Sequence, residues 1–105
     1  MVKKLDYQWD SENHHTPKIE HDLAKILNNP EYKLYDHIDV GCGNGALTVK
    51  FCKFFKKSLG IDLSEDGIKF AKKYENEKIK FENESIENLI EKGREFDFVS
   101  AIEVI

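Results

Sequence analysis

The run HIDVGCGNGALT, residues 37–48, constrains the fold of this chain more than any other stretch. An apolar extended segment meets three glycines at alternate positions, and a helix-like pattern begins directly after them. Glycine has no Cβ, so it adopts positive φ angles and lets a ligand approach the backbone. The first turn of a helix adds unpaired N–H groups and the positive end of the helix dipole. The pattern therefore predicts a strand, a tight turn and a helix that together bind an anionic or strongly polar ligand.

The composition predicts a globular domain. The chain has 105 residues, of which 40% are hydrophobic and 34% charged, and no apolar run approaches the roughly 18 residues of a membrane span. The net charge is −4 and the lysines are interspersed with acids, so we expect no nucleic-acid surface. The N-terminal stretch lacks the apolar core of a secretory signal, which favours a cytoplasmic protein. Cys42 and Cys52 lack the spacing of metal ligands, and we expect both to be reduced packing residues.

Hydrophobic periodicity predicts one α/β domain over residues 1–105. An N-terminal segment and helix, residues 1–30, precede a core at 34–105 with the order β-α-β-α-β-α-β. This alternation predicts a Rossmann-like parallel sheet of about four strands, with helices on both faces and right-handed crossovers. The predicted helices are residues 17–27, one after Gly45, one from Ser64 and residues 85–92, and the predicted strands are residues 34–40, 58–63, one around Ile79 and Phe81, and 96–105.

Asp62, at the end of the second predicted strand, indicates the class of ligand. A carboxylate there can accept hydrogen bonds from both hydroxyls of a ribose, and bonds to charged groups contribute about 1.5–3 kcal/mol each. The ligand should therefore be a nucleoside derivative. Gly41, Gly43 and Ala46 also satisfy the loose dinucleotide fingerprint, so a nicotinamide dinucleotide is the alternative on spacing alone.

Asp39, two residues before the first glycine, distinguishes these two ligands. Its carboxylate would repel a pyrophosphate and attract a ligand that carries an ammonium group. S-adenosylmethionine carries both an ammonium and a sulfonium. The charge pattern therefore favours S-adenosylmethionine as the cofactor.

The same residues carry a family resemblance. The run DVGCGNG, residues 39–45, resembles the first motif of class I S-adenosylmethionine-dependent methyltransferases, GIDLSEDGIKFAKK (60–73) resembles their second, and FDFVSAIEVI (96–105) resembles their fourth. The part from residue 84 onward is most similar to the quinone-biosynthesis O-methyltransferases and related small-molecule enzymes. The resemblance covers residues 34–105 and implies methyl transfer from S-adenosylmethionine to a small-molecule acceptor, by O-methylation.

The resemblance also implies the residues of the cofactor site. The glycine turn would wrap the methionine part of the cofactor with Asp39 beneath it, while Asp62 would hold the ribose hydroxyls and Leu63 would cover one adenine face. Where the family often has an acid for the adenine amino group, this chain has Ser85, and Ile86 after it would stack on adenine. The full predicted set is Asp39, Gly41, Cys42, Gly43, Asn44, Gly45, Asp62, Leu63, Ser85, Ile86 and Glu103.

Glu103 falls where the family contacts cofactor or substrate, although a solvated acid at a strand end is an equal alternative. The catalytic residues stay unassigned, because no general base stands out. His14 and His15 precede the first helix, in a segment that can fold over the cofactor in related enzymes, but adjacent histidines point in different directions. No metal-ligand spacing such as HExxH is present, so we expect no metal.

The family domain continues past the fourth strand with three more strands, which usually build the acceptor pocket, whereas this sequence stops at Ile105. We therefore expect either a fragment, truncated after the fourth strand, or a homodimer in which a second chain pairs with that exposed strand. A nonenzymatic module that binds the cofactor or dimerises is the alternative to an enzyme.

Overall fold

The computed structural model of the protein, which describes residues 17–102, has the predicted alternation of helices and strands. The predicted cap at Ser64 is confirmed, since its hydroxyl accepts a hydrogen bond from the backbone N–H of Gly67. The helices are α1 (Pro17–Leu27), α2 (Ala46–Phe51), α3 (Glu65–Ala71) and α4 (Ile86–Glu91), the strands are β1 (Asp36–Val40), β2 (Lys57–Asp62), β3 (Ile79–Asn83) and β4 (Phe98–Ala101), and short 3₁₀ helices span Pro30–Leu34, Cys52–Phe54 and Lys72–Tyr74.

The four strands form one parallel sheet in the order β3-β2-β1-β4. The chain moves outward from β1 to β3 and then returns across β1 to reach β4. Right-handed crossovers therefore place α4 on the opposite face of the sheet from α2 and α3. Ligands of such sheets bind at the carboxyl ends of the strands, where the strand order reverses. In this chain that position is the turn after β1.

Apolar side chains from both faces of the sheet form the core. On the α4 face, Leu89 packs with Ile38, Leu59 and Ile61. On the other face, Phe81 packs beneath α3, and a third cluster of Leu27, Phe51 and Phe55 joins α1 to α2. Because both faces are covered, the two inner strands β1 and β2 are largely buried, as expected for a parallel sheet, whereas the edge strand β4 is half-buried. The predicted fold class, a Rossmann-like α/β sheet with helices on both faces, is confirmed.

The structure corrects several predicted boundaries. β1 begins at Asp36 rather than at residue 34, because Leu34 ends a 3₁₀ helix and is 74% exposed. Asn29 caps that helix by accepting a hydrogen bond from the N–H of Glu31. β2 is shifted by one residue, and β4 spans only Phe98–Ala101 of the predicted 96–105, the last three of which lie outside the described residues.

Candidate functional site

The glycine turn crosses the end of β2. The N–H groups of Gly41 and Cys42 both donate to the carbonyl oxygen of Ile61, at 2.8 and 2.9 Å. Gly41 and Gly43 have φ angles of +77° and +57°, and a Cβ added to either one would meet no atom within 4 Å. The backbone at these two glycines is therefore open to a ligand.

Gly45 lies in a different environment. Its φ is +82°, and a Cβ there would lie 2.8 Å from the ring of Phe81 and 2.9 Å from the Cβ of Ala71. Gly60 is packed against the same ring, with 2.6 Å between its hypothetical Cβ and Phe81. The third glycine of the turn is thus required by the packing of β3 and α3 beneath it.

The backbone N–H groups at the N-terminus of α2 are less available to a ligand than the sequence suggests. Gly45 is the N-cap and offers no side chain, but the N–H of Ala46 donates to the side-chain oxygen of Asn44 at 3.0 Å. Asn44 therefore satisfies one of the donors that the sequence leaves for a ligand.

The side chain of Asp62 joins β2 to the glycine turn. One carboxylate oxygen accepts the N–H of Gly43 at 2.8 Å, and the other accepts the N–H of Ser64 at 2.7 Å. Each oxygen retains a further lone pair, so the carboxylate can still accept hydrogen bonds from a ligand. Asp62 is held in a fixed orientation by the backbone on both sides.

A cavity of about 300 Å³ opens beside this carboxylate on the α4 side of the turn. Five of the predicted site residues, from three separate parts of the chain, meet in its wall. Leu63 is 77% exposed, so its side chain presents a free apolar surface there. The lining residues are Val40, Gly41, Ile61, Asp62, Leu63, Glu84, Ser85, Ile86 and Glu87.

Four cavity residues were not predicted, namely the apolar Val40 and Ile61 and the two acids Glu84 and Glu87. The Glu84 carboxylate accepts hydrogen bonds from Lys92 at 2.9 Å, from the Asn88 amide at 2.8 Å and from the N–H of Ser85 at 3.2 Å. These donors, Lys92 first, lower the pKa of Glu84 to about 2. The sequence feature that could have indicated Glu84 as a cavity residue is its position directly before Ser85, which was predicted.

Asp39 is buried, with 6% of its surface exposed, and does not line that cavity. Its carboxylate accepts hydrogen bonds from the hydroxyls of Thr48 on α2 and Ser100 on β4. Burial raises the pKa of Asp39, while these two bonds act in the opposite direction. The carboxylate lies below the turn in the protein interior, where a charge acts through a lower effective dielectric than in water.

His37 lies on the same face of β1 as Asp39 and is also buried. Its ring stacks on Phe55 with centroids 4.1 Å apart, and its two nitrogens contact the hydroxyls of Ser58 and Ser100. Burial lowers the pKa of His37 to about 3, so the ring is neutral at physiological pH. The sequence signal was the pair of polar residues at alternate positions of a strand predicted to be buried.

The remaining predicted residues are not in the cavity wall. The Cys42 side chain packs near Gly60 and Phe81, and burial raises the pKa of its thiol, so this residue is a packing residue with an unreactive thiol. Cys42 and Cys52 are both free thiols. Glu103, His14 and His15 lie outside the described residues.

Residues 17–102 contain no helix long and apolar enough to cross a bilayer. Over the same residues, no three His, Cys, Asp or Glu side chains are grouped so that they could hold a metal ion.

The fold and the site define a parallel α/β domain that presents a glycine turn and a carboxylate at the edge where such sheets bind nucleoside ligands. Comparison with known proteins gives the family. Residues 38–105 match the family described as "Methyltransferase domain", and the chain belongs to this family.

A curated relative, a ubiquinone biosynthesis O-methyltransferase from Methylobacterium sp. (strain 4-46), is 30% identical over 71 residues. That match covers 65% of this chain and only 28% of the relative.

Similar solved structures include the following two methyltransferases. A putative S-adenosylmethionine-dependent methyltransferase from Listeria monocytogenes is 30% identical with a TM-score of 0.50, and the match covers 66% of this chain and 32% of that one. A putative protein-L-isoaspartate O-methyltransferase from Plasmodium falciparum, solved with S-adenosyl-L-homocysteine, is 20% identical with a TM-score of 0.64, over 81% and 48% of the two chains. At that identity the second likeness concerns the fold alone. The chain therefore spans less than half the length of each of these relatives.

Proposed function

We propose that the chain binds S-adenosylmethionine and forms the cofactor-binding part of an enzyme that methylates an oxygen atom of a small molecule. The observation that carries this proposal is the meeting of Asp62, Leu63, Ser85 and Ile86 in one cavity beside the open glycines. Those residues are separated in sequence, and the fold brings them together. When bound, the cofactor supplies an activated methyl group, and the protein supplies binding and orientation.

The residues present fit such a cofactor. The unfilled Cβ positions at Gly41 and Gly43 leave a surface for the methionine part, and the free lone pairs of Asp62 suit the ribose hydroxyls. Leu63 and Ile86 offer apolar surface for the adenine. The acidic surroundings, with Asp62 and Glu84 at the cavity, suit a cationic ligand.

The acceptor is proposed to be a small molecule on the strength of the ubiquinone O-methyltransferase relative. We assign no general base within residues 17–102. The proposal therefore requires either an acceptor whose hydroxyl is acidic or a general base that lies outside residues 17–102. A cytoplasmic location, the absence of a nucleic-acid partner and pairing of a second copy at β4 stay predictions of the sequence.

A nicotinamide dinucleotide is the less favoured ligand. The buried carboxylate of Asp39 lies below the turn that would hold the dinucleotide's pyrophosphate, and this negative charge opposes an anion there. A nonenzymatic module that binds the cofactor or dimerises is the second alternative, and a test of methyl transfer separates it from the enzyme.

Calorimetric titration of the 105-residue chain with S-adenosylmethionine and with NADH tests the ligand. We expect binding of the first alone, weakened about tenfold or more by Asp62→Ala, because the variant loses a charged hydrogen-bond acceptor for the ligand, worth about 1.5–3 kcal/mol, and also the bond that fixes the N–H of Gly43. Asp66→Ala, which removes an exposed acid from the first turn of α3, is the matched control and should bind as the unmodified chain does. Equal affinity of the two variants for S-adenosylmethionine would contradict the proposal that Asp62 binds the cofactor.

Methyl transfer is tested separately, with cofactor labelled at the methyl group and a panel of phenols and catechols. Label in any acceptor excludes the nonenzymatic module. Cofactor binding without transfer across the panel would favour that module.

A further inference from the structure

Four buried side chains and the half-buried Ser100 form a continuous hydrogen-bonded chain across three strands and α2. It runs from the Ser58 hydroxyl on β2 to Nδ1 of His37 at 2.9 Å, and from Nε2 of His37 to the Ser100 hydroxyl on β4 at 2.7 Å. The Ser100 hydroxyl then contacts Oδ1 of Asp39 at 2.8 Å, and Thr48 donates to Oδ2 of the same carboxylate. We call these five residues the polar relay.

The direction of the polar relay follows from the Asp39 carboxylate. An ionised carboxylate oxygen only accepts, so the Ser100 hydroxyl donates its single proton to Oδ1 of Asp39 and must itself accept from Nε2 of His37. Because the His37 ring is neutral, Nδ1 is then the unprotonated nitrogen and accepts from the Ser58 hydroxyl.

In this direction, the hydroxyls of Ser100 and Thr48 both donate hydrogen bonds to the Asp39 carboxylate. Hydrogen bonds to the ionised form of a buried acid favour that form. Among the described side chains, no lysine or arginine lines the small cavity of about 40 Å³ that Asp39, Thr48 and Ser100 share with apolar residues of α1, α2 and β4, so the two hydroxyls are the groups seen to stabilise the charge. From β2, Asp62 contributes a second negative charge that opposes ionisation of Asp39.

We propose that His37 and Ser100 are positioning residues of the cofactor site, which hold Asp39 as an oriented anion beneath the glycine turn and so favour a cofactor with a sulfonium over one with a neutral thioether. This inference rests on the proposed function, because it assumes that the turn binds the cofactor. S-adenosylmethionine has the sulfonium and S-adenosylhomocysteine has the thioether, so their affinity ratio reports the effect of the buried charge. The two ligands are otherwise alike.

The first test is nitrogen-15 NMR of the histidine rings in the ligand-free chain, which distinguishes protonated from unprotonated ring nitrogens. We expect a neutral His37 with its proton on Nε2 at pH 7. A proton on Nδ1 would reverse the polar relay and overturn the proposal. This measurement needs no cofactor, so it is decided separately from the proposed function.

The second test compares variants of β4 by calorimetry with both ligands. Ser100→Ala removes the donor and should reduce the affinity ratio of S-adenosylmethionine to S-adenosylhomocysteine about threefold to tenfold, while Ser100→Thr restores a hydroxyl and should restore the ratio. Val99→Ala is the matched control, because Val99 lines the same small cavity as Ser100 and packs with the α4-face cluster but has no side-chain group that donates to Asp39. It should destabilise the fold and leave the ratio unchanged.

A carbon-13 NMR titration of Asp39 adds a readout that stability alone would not move. The apparent pKa of Asp39 should rise in Ser100→Ala and stay at its original value in Val99→Ala. The charged and titratable groups facing Asp39 are His37 on its own strand, Asp62 from β2 and the Cys42 thiol of the turn, and both variants retain all three. An unchanged ratio and an unchanged Asp39 titration in Ser100→Ala would refute the positioning role, whereas failure of both ligands to bind the unmodified chain would refute the proposed function instead.

Discussion

The carboxylate of Asp62 and the backbone N–H of Gly43 are joined by a hydrogen bond of 2.8 Å, which ties the end of β2 to the turn after β1. The other carboxylate oxygen holds the N–H of Ser64, at the start of α3. One side chain therefore fixes the shape of the glycine turn and the start of the next helix. A substitution at residue 62 therefore changes the shape of the site as well as its charge.

Gly45→Ala should destabilise the protein more than Gly93→Ala. Both residues have positive φ angles, +82° and +75°, which cost a non-glycine residue about 1–2 kcal/mol. At Gly45 the new Cβ also meets Phe81 at 2.8 Å, and overpacking adds about 1–3 kcal/mol. Urea denaturation measures the free energies of unfolding, and equal losses would show that the ring of Phe81 moves aside without cost.

The buried imidazole of His37 should make stability fall as the pH is lowered. Burial holds the pKa of His37 at about 3 in the folded protein, against an ordinary value of 6.5 in the unfolded chain. Between these values the unfolded chain binds a proton that the folded protein does not, so the free energy of unfolding decreases by about 1.4 kcal/mol per pH unit at most. The contribution of the neutral, buried His37 to the free energy of unfolding is fully present above pH 6.5 and is lost as the pH falls toward 3.

Urea denaturation at several pH values between 7 and 4.5 measures that slope. His37→Gln keeps a donor and an acceptor but does not titrate, and it should flatten the slope relative to the unmodified chain. The same substitution at His21, which is exposed on α1, is the control and should leave the slope as it was. A steep slope retained in His37→Gln would assign the effect to another group.

Ser85→Ala and Ser64→Ala should have equal effects on stability and unequal effects on binding. Each serine is an N-cap whose hydroxyl accepts one backbone N–H at 3.1 Å, and loss of such a cap costs about 1 kcal/mol. Only Ser85 lines the cavity. Calorimetry with S-adenosylhomocysteine should therefore show weaker binding for Ser85→Ala alone, and parallel weakening in both variants would mean that the hydroxyl of Ser85 has no contact with the cofactor.

Leu63→Ala should weaken cofactor binding without unfolding the protein. The side chain is 77% exposed, so its loss changes the free energy of unfolding by no more than about 0.5 kcal/mol. If it covers the adenine, the apolar area that binding buries is worth about 1 kcal/mol, or about fivefold in affinity. Ile90→Ala, at a residue 66% exposed on the outer side of α4, is the control and should bind normally.

Much of this fold was predictable, because the alternation of strand and helix patterns and the glycine turn are local signals. The Ser64 cap, the parallel sheet and the placement of Asp62 at a strand end follow from a few neighbouring residues each. The 3₁₀ helix at Pro30–Leu34 was missed, although Asn29 before a proline was a signal for a capped turn. Because apolar residues follow Leu34, the periodicity predicts a strand that begins there, whereas Leu34 ends the 3₁₀ helix.

The interior of the site was not predictable in the same way. Ser100 contacts Asp39 only because β4 returns to pair with β1, and neither the strand order nor the register is encoded in local periodicity. The same holds for Ser58, which reaches His37 through the register of β2. The sequence reveals that polar residues fall within buried strands, whereas their partners emerge only from the assembled sheet.

The ring of Phe81 has a consequence for how the glycine motif varies among related chains. A pattern of three alternate glycines treats them as equivalent, but Gly41 and Gly43 face open space while Gly45 faces that ring. We therefore expect residues 45 and 81 to covary: a relative with alanine at the third glycine should carry a smaller side chain than phenylalanine at the middle of its third strand. A smaller residue 81 would relieve the contact with the ring, while the positive φ of residue 45 and the Cβ of Ala71 would continue to disfavour a side chain there.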